Sequence, residues 1–492
     1  MRPRWRAGLW LGAAVATLAL SAQAPAAELT GRLEARAVLP ADTTAPGPES
    51  GAALGAGPIN GFAVPFATQP VQGFSGILRA GPGVWWALPD NGYGLQERSA
   101  DWLLRIYRVR PELDPPGGGT GGATVDGFVQ LGDPDGKFPY PLVRPDRLLT
   151  GFDVDPESIL EARDGTFWIG DEFGPWMLHF DQSGRLLDAP VALEGVRSPQ
   201  NPTLAGESPT LDRSKGFEAA APSPTGNRAF VFLEGALLAD RDQRRRYVYE
   251  LDLDSGRFTG RRWAYRTEDP AWLVADAKAL DGRRLLVMER DDFEGTGAVF
   301  KRVYEVELSR ADELDGPSVD EFVDKRELVD LLALRNRDGV AAPAEPGDRG
   351  LGDPFSFLLR SVESILPLDR GRLLVANDNN FPFDAGRHDG RADGNEWIVV
   401  RPTKPRVKIT DVRLRPMRER VELAYELERD AHLEAEIGRR GHTLDRAARD
   451  ARAGDGELDL RAPGKPGQYK LRLEARLGDT ADTARAGLVV RR

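Results

Sequence analysis

The chain has no cysteine and only four histidines in 492 residues. Without thiols, disulfides, thiolate metal sites and cysteine-linked lipid anchors are excluded. With so little imidazole, and with His432 and His442 both near the C-terminus, a zinc or iron centre built on histidine is disfavoured. Long apolar runs are equally scarce. The run from Leu9 to Leu20 follows three arginines and precedes small residues at Ala24 and Ala26, the pattern of a secretory signal peptide over residues 1–27. It is too short to span a bilayer and no second run follows, so export to a periplasm or the cell exterior, without a membrane span after cleavage, is the expectation. Basic excess is also missing: 77 acids against 66 bases give a net charge of −11, which argues against a nucleic-acid or anionic-membrane partner. No G-x-S-x-G elbow, H-E-x-x-H helix or Walker loop occurs.

What the sequence does contain is a repeat. GFDVDPESILEARDGTFWIGDEFGP (Gly151 to Pro175) reads as two strands joined at Asp164-Gly165, a strong hairpin signal. Similar hairpins start at Gly73, Gly216, Asp276 and Val362, each followed by an alternating strand. Leading and trailing acids pair up within each copy: Glu157 with Asp171, Glu218 with Glu234, Asp276 with Glu289, and Glu363 with Asp378. In the first copy Ser75 leads and Asp90 trails. Units of about four strands recurring with loop insertions predict an all-β propeller over residues 28–402, most simply six-bladed, with five or seven blades also compatible. A stack of two sheets is the alternative. One helix is expected between blades, from Val319 to Arg335. Residues 403–492 change texture to short alternating strands, with Gly467 and Tyr469 in a G-x-Y pattern, and predict a small immunoglobulin-like β-sandwich acting as a spacer or docking module.

Equivalent hairpin ends of a propeller meet at one axial mouth. The acids expected there are Asp90, Glu157, Asp171, Glu172, Glu218, Glu234, Asp276, Glu289, Asp291, Glu363 and Asp378, with Asn91, Asn377 and Asn379 as neutral oxygen donors. Buried like charges need compensation. Arg213, Lys215, Lys278, Arg290 and Arg360 are the nearby cations, and calcium suits a site rich in carboxylate and amide oxygens. For each acid taken singly, capping a turn is the plainer reading. His179 reads as a packing residue and His388 as a loop residue. The loop DAGRHDGRADGNE (Asp384 to Glu396) is a weaker second calcium candidate.

The motifs GFDVDPESI, WIGDEFGP, GFEAAAPSPTG, FLEGAL, RRRYVYELDL, LVMERDD and VANDNNFPF resemble the exported bacterial phytase-like family, which carries the description "esterase-like activity of phytase". The likeness runs from about Gly73 to Arg401. It implies a β-propeller hydrolase of small phosphoesters with calcium as the metal. On that reading Glu157, Asp171, Glu172, Glu218, Asp276, Glu289 and Asp378 serve as ligands, Glu234 or Glu363 takes a proton from water, and Arg290 and Lys215 neutralise phosphate. A non-catalytic binding propeller with a structural calcium, and a lactonase-like carboxyl-ester hydrolase, are the alternatives.

Overall fold

Short alternating segments punctuated by glycine turns leave few stretches able to form a helix. The computed structural model describes residues 29–308, 322–403, 409–417, 419–427, 430–439, 442–452, 454–477 and 480–490. Among them there is no α-helix, only strands and four single-turn 3-10 segments. The expected signal peptide lies outside the described residues, apart from which no described helix is long and apolar enough to cross a membrane.

Residues 29–308 and 322–403 form five antiparallel units of four strands, the first and fifth joined into one nine-stranded sheet by the parallel pairing of Gly31–Leu39 with Thr120–Gln130. Unit 1 comprises Phe74–Gly81, Val84–Pro89, Arg105–Pro111 and Thr120–Gln130. Unit 2 comprises Pro156–Glu161, Phe167–Asp171, Trp176–Phe180 and Val191–Ala192. Unit 3 comprises Phe217–Pro222, Arg228–Leu233, Arg245–Asp252 and Arg257–Arg266. Unit 4 comprises Leu273–Ala279, Arg284–Arg290, Lys301–Glu307 and Asp324–Asp330. Unit 5 takes Ser361–Leu368, Arg372–Asp378 and Asn395–Pro402, and its fourth strand is the N-terminal Gly31–Leu39. The first strand of each unit touches the first strand of the next, and that of unit 5 touches that of unit 1. The result is a closed, propeller-like ring.

Two expectations change here. A sixth unit is not among the described residues, because the segment after the signal peptide completes unit 5 instead of forming a sheet of its own. The helix expected from Val319 to Arg335 is instead the outer strand Asp324–Asp330, followed by a two-residue strand at Leu334–Arg335. Residues 319–321 of that segment lie outside the described residues. Val329 is fully buried while Asp324 is exposed, the half-buried alternation of an edge strand.

The hairpin turn read from Asp164-Gly165 is present: Gly165 has φ +84° and Thr166 N donates to Asp164 Oδ1 at 3.0 Å. The aromatics Trp85, Phe167, Trp168 and Trp397 are buried between sheets, each burial contributing about 2–3 kcal/mol. Ring closure carries a buried ionic lock. Arg36, on the N-terminal strand, donates to both oxygens of Glu396 at 2.9 and 2.8 Å, and Arg387 does the same at 2.7 and 3.0 Å. Burial alone would raise the Glu396 pKa, but the two guanidinia hold it far below the carboxylate range. Replacing Arg36 with Met is therefore expected to cost about 3 kcal/mol, read as a lowered urea midpoint at neutral pH, because it strips one partner from a buried carboxylate.

The C-terminal residues build a separate core. Ile409–Pro416, Arg420–Leu427 and Gly454–Arg461 form one antiparallel sheet, and His442–Ala451, Ala431–Arg439, Gly467–Leu477 and Thr480–Val490 form another. Leu423, Leu433, Ile437, Leu458, Tyr469 and Leu473 close the space between them.

Candidate functional site

Each inner hairpin breaks register at the same place. The pairs Phe74–Pro89, Pro156–Asp171, Phe217–Leu233, Val274–Glu289 and Val362–Asn377 are in register, and the next residue of the first strand is skipped. The skipped residues are Ser75, Glu157, Glu218, Ala275 and Glu363. A bulge re-aims one side chain out of the ladder's alternation, and in units 2, 3 and 5 that side chain is a glutamate. One residue beyond each paired trailing position stand Asp90, Glu172, Glu234, Arg290 and Asp378. Every acid and the arginine in these two sets line one cavity of about 260 Å³. Asp155, Asn91, Lys215, Arg360, Asp292 and Asn380 also line it.

Close approach at this mouth requires glycine at two points. Gly73 has φ +76°, and a Cβ there would sit 2.7 Å from Asp90 Oδ1 and 3.5 Å from Asp378 Oδ1. At Gly216 a Cβ would lie 2.5 Å from the Cα of Glu172. The glycine that opens a repeat thus lets neighbouring units bring their trailing acids inward.

Eight carboxylates in the cavity wall are buried: Asp90, Asp155, Glu157, Glu172, Glu218, Glu234, Glu363 and Asp378. Asp155, Glu157 and Glu172 offer oxygens within 4.8 Å of one another, as do Glu157, Glu218 and Glu363, and Glu172, Glu218 and Glu234. Two cations enter the group. Arg290 donates to Glu363 at 2.6 Å and lies 3.8 Å from Glu234, while Lys215 pairs with the other oxygen of Glu234. Arg360 lines the cavity but gives its Nε to Asp384 at 2.9 Å. Burial opposes the charge on Arg290 and Lys215, yet the carboxylates outweigh it and raise both pKa values.

The remaining acids are undercompensated. Burial first, then the charges of Glu218, Asp155, Glu172 and Glu363, pushes Glu157 well above its ordinary pKa. Burial and neighbouring carboxylates do the same to Asp90, Glu172, Glu218 and Asp378, and burial moves Asp155 up to about 6. Glu172 Oε1 and Glu363 Oε2 are buried and have no hydrogen-bond partner among the described residues. Orphaned carboxylate oxygens in a carboxylate-rich wall fit a hard cation such as calcium. Asp155, Glu157, Glu172 and Glu218 are the residues placed to hold it.

Several residues expected at the mouth lie elsewhere. Asp171 points away, accepting from the backbone N–H of Asp155 at 2.9 Å and of Gly174 at 2.7 Å. Glu289 accepts from Tyr265 at 2.5 Å, Lys325 at 2.9 Å and Glu268 N at 2.6 Å. Asp276 pairs with Lys278 at 2.6 Å and accepts from Ile365 N at 2.8 Å. All three are one residue out of phase with the positions that face the axis, and side chains alternate sides. Asp291 is bonded to fully buried Lys301 at 2.5 Å. Asn377 accepts from Glu396 N, and Asn379 accepts from Gly73 N, so both tie loops together. Arg213 pairs with Glu97 at 3.1 Å on the surface.

His179 stacks on Trp168 with ring centroids 4.3 Å apart, a packing role. In the Asp384–Glu396 loop, Asp393 accepts from Gly386 N and Arg387 N, Asp389 pairs with Arg349, and His388 sits beside them; this loop contributes to none of the metal-compatible groups. Phe173, Trp176 and Phe381 are buried and do not line the acidic cavity. Asp155 was missed because it precedes the strand, although it lies two residues before Glu157 within the same acid-rich stretch.

Comparison with known proteins gives results of unequal weight. An uncharacterized secreted protein of Arthroderma benhamiae is 29% identical over 112 residues, covering 19% of this chain and 22% of that protein. The chain thus spans about a fifth of that relative. Among solved structures, PorZ, a surface component of the type-IX secretion system of Porphyromonas gingivalis, aligns at 14% identity over 87% of this chain and 61% of its own, with a TM-score of 0.31. A glycoside hydrolase aligns at 11% identity over 82% of this chain and 94% of its own, also with a TM-score of 0.31. Residues 69–381 match the phytase-like family, and this stretch contains all five bulged hairpins and every acid of the cavity wall; the chain belongs to the phytase-like family described as "esterase-like activity of phytase".

Proposed function

We propose that the chain is an exported, calcium-dependent hydrolase of small phosphoesters, built on a five-bladed propeller whose axial mouth is the active site. The observation that carries this reading is the pair of orphaned buried oxygens, Glu172 Oε1 and Glu363 Oε2, in a wall that also holds Arg290 and Lys215. The apolar N-terminal run and the secreted relative support export.

The wall divides into two sectors. Units 2 and 3 supply Asp155, Glu157, Glu172 and Glu218, the side that would hold the cation. A calcium ion there supplies Lewis acidity toward a phosphoryl oxygen and offsets the carboxylates' charge. Unit 4 supplies Arg290, whose guanidinium is fixed by Glu363 and Asp292 and brings a buried positive charge to meet phosphate oxygens. Lys215, about a third exposed at the edge, adds a second positive charge. Glu363 has one oxygen held by Arg290 and one without a partner, so it is positioned to accept a proton from an attacking water. Glu234 bridges Lys215 and Arg290 and holds them in place. An acidic mouth repels a phosphate, so activity without a divalent cation is not expected. A cavity of about 260 Å³ admits a phosphoryl group with a short substituent.

The test is hydrolysis of a phosphodiester, a phosphomonoester and a lactone, each with calcium and with chelator, alongside elemental analysis of the purified protein. Calcium-dependent turnover of a phosphoester supports the proposal. Lactone turnover alone, or calcium binding without hydrolysis of any substrate, overturns it in favour of a carboxyl-ester hydrolase or a binding propeller.

A further inference from the structure

The acidic ring is matched by a basic groove elsewhere in the chain. Residues 403–492 hold 21 lysines and arginines against 16 acids, in a chain whose total is −11. On the outward face of the four-stranded sheet, Arg446, Glu436, Arg472 and Arg485 stand side by side across the strands. The next row is Gly438, Lys470 and Gly487. Gly487 beside the lysine leaves a notch, whereas at Gly438 the His442 carbonyl fills the place of a side chain, and a groove of about 580 Å³ runs past Arg439, Arg472 and Arg485.

Two of the four cations in this groove are unspent. Lys470 and Arg485 are exposed and have neither ion pair nor side-chain hydrogen bond among the described residues. Arg472 is held by Glu474, and Arg439 donates to Pro466 O at 3.0 Å. The groove's one acid, Glu436, is drawn toward Thr443 and Arg446. A Cβ placed at Gly487 would meet nothing within 4 Å, so the notch is open to solvent.

We infer that this groove docks a linear phosphodiester polymer, holding the exported protein to a polyanionic surface. Charge complementarity favours an anion. The backbone positions that carry neighbouring cations lie about 5 Å apart across strands and about 6.6 Å apart along one, so a ligand with regularly repeated charges engages several at once, while a single phosphate engages one or two. A recessed channel suits an extended chain better than the flat face of a bilayer. The inference is independent of the catalytic reading, because the groove shares no residue with the propeller mouth.

Binding of the full mature chain to poly(glycerol phosphate), measured in chelator so that the mouth holds no cation, tests it. The wild type is expected to bind with affinity falling steeply with salt. Lys470→Ala with Arg485→Ala should weaken binding at least tenfold and reduce the slope of log affinity against log salt by about 1.5. Gly487→Leu fills the notch without a backbone clash and should weaken binding similarly, with melting temperature unchanged. Undiminished binding by these variants overturns the inference. So does equal binding of glycerol phosphate monomer, or preferential binding of anionic lipid vesicles.

Discussion

Glu218→Gln is expected to abolish phosphoester hydrolysis, by on the order of 10³-fold in kcat/KM, while shifting stability in opposite directions with and without calcium. The activity loss corresponds to about 4 kcal/mol of barrier. Glu218 sits at the bulge of unit 3 and offers an oxygen to two of the three acidic groups in the wall. Its pKa is pushed well above normal by burial and then by Glu234, Glu172 and Glu363. In chelated protein the amide removes a group that must either stay charged among its neighbours or take up a proton on folding, so the melting temperature should rise, by about 1 kcal/mol in stability terms. With calcium present the same substitution removes a ligand, and the calcium-induced rise in melting temperature should shrink. Thermal melts of wild type and variant in chelator and in calcium read all four states. A variant that loses stability equally in both conditions, with activity retained, would make Glu218 a structural residue and sink the proposed centre.

The sign inversion matters because acids in a propeller often do nothing but cap turns. Asp171 shows the difference. It is as deeply buried as Glu218, and burial moves it up to about 7, yet both its oxygens accept backbone N–H groups. Asp171→Asn should destabilise the protein with or without calcium, because an amide has one acceptor oxygen and cannot take both backbone N–H groups.

Much of this was legible in the repeat. Strand–turn–strand grammar and trailing acids located all five inner hairpins and most of the cavity wall, since glycine turns and alternating apolar residues act locally. The phase within each hairpin was not legible. Pairing Glu157 with Asp171 and Asp276 with Glu289 gives separations of 14 and 13, whereas Ser75 to Asp90 and Glu363 to Asp378 give 15. A separation of 15 in units 2 and 4 moves the pairs to Glu157–Glu172 and Ala275–Arg290, which are the ones the bulges select, while unit 3 keeps Glu218–Glu234 at 16. Unit 4 then contributes a cation where its neighbours contribute acids, and Asp276 and Glu289 drop out. The described residues hold five units, one of the counts the repeat allowed, and the strand that completes unit 5 lies at the other end of the chain, a long-range pairing of which sequence spacing carries no trace. Lys325 and Tyr265, which satisfy Glu289, are likewise distant in sequence.

Stability should also depend on pH in a way that calcium reverses. Asp90, Glu157, Glu172, Glu218 and Asp378 have folded pKa values well above those of the unfolded chain, and Asp155 reaches about 6. A carboxyl with a raised folded pKa is protonated in the native state when the unfolded chain has already ionised. The folded state then binds more protons, so chelated protein loses stability as pH rises from about 4 upward. Asp155 alone, moving from 3.8 to about 6, accounts for about 3 kcal/mol lost by pH 7. Calcium binding expels those protons, so its stabilising effect should be small at pH 5 and grow through pH 6 to 8. Asp171, Asp384 and Asp393 are raised to about 7, 7 and 6 and push stability the same way, but they bind backbone or Arg360 away from the mouth. The difference between melts with and without calcium therefore isolates the ring from these other groups. A calcium effect independent of pH across this range would mean that the ion, wherever it binds, does not displace the protons of these six carboxyls.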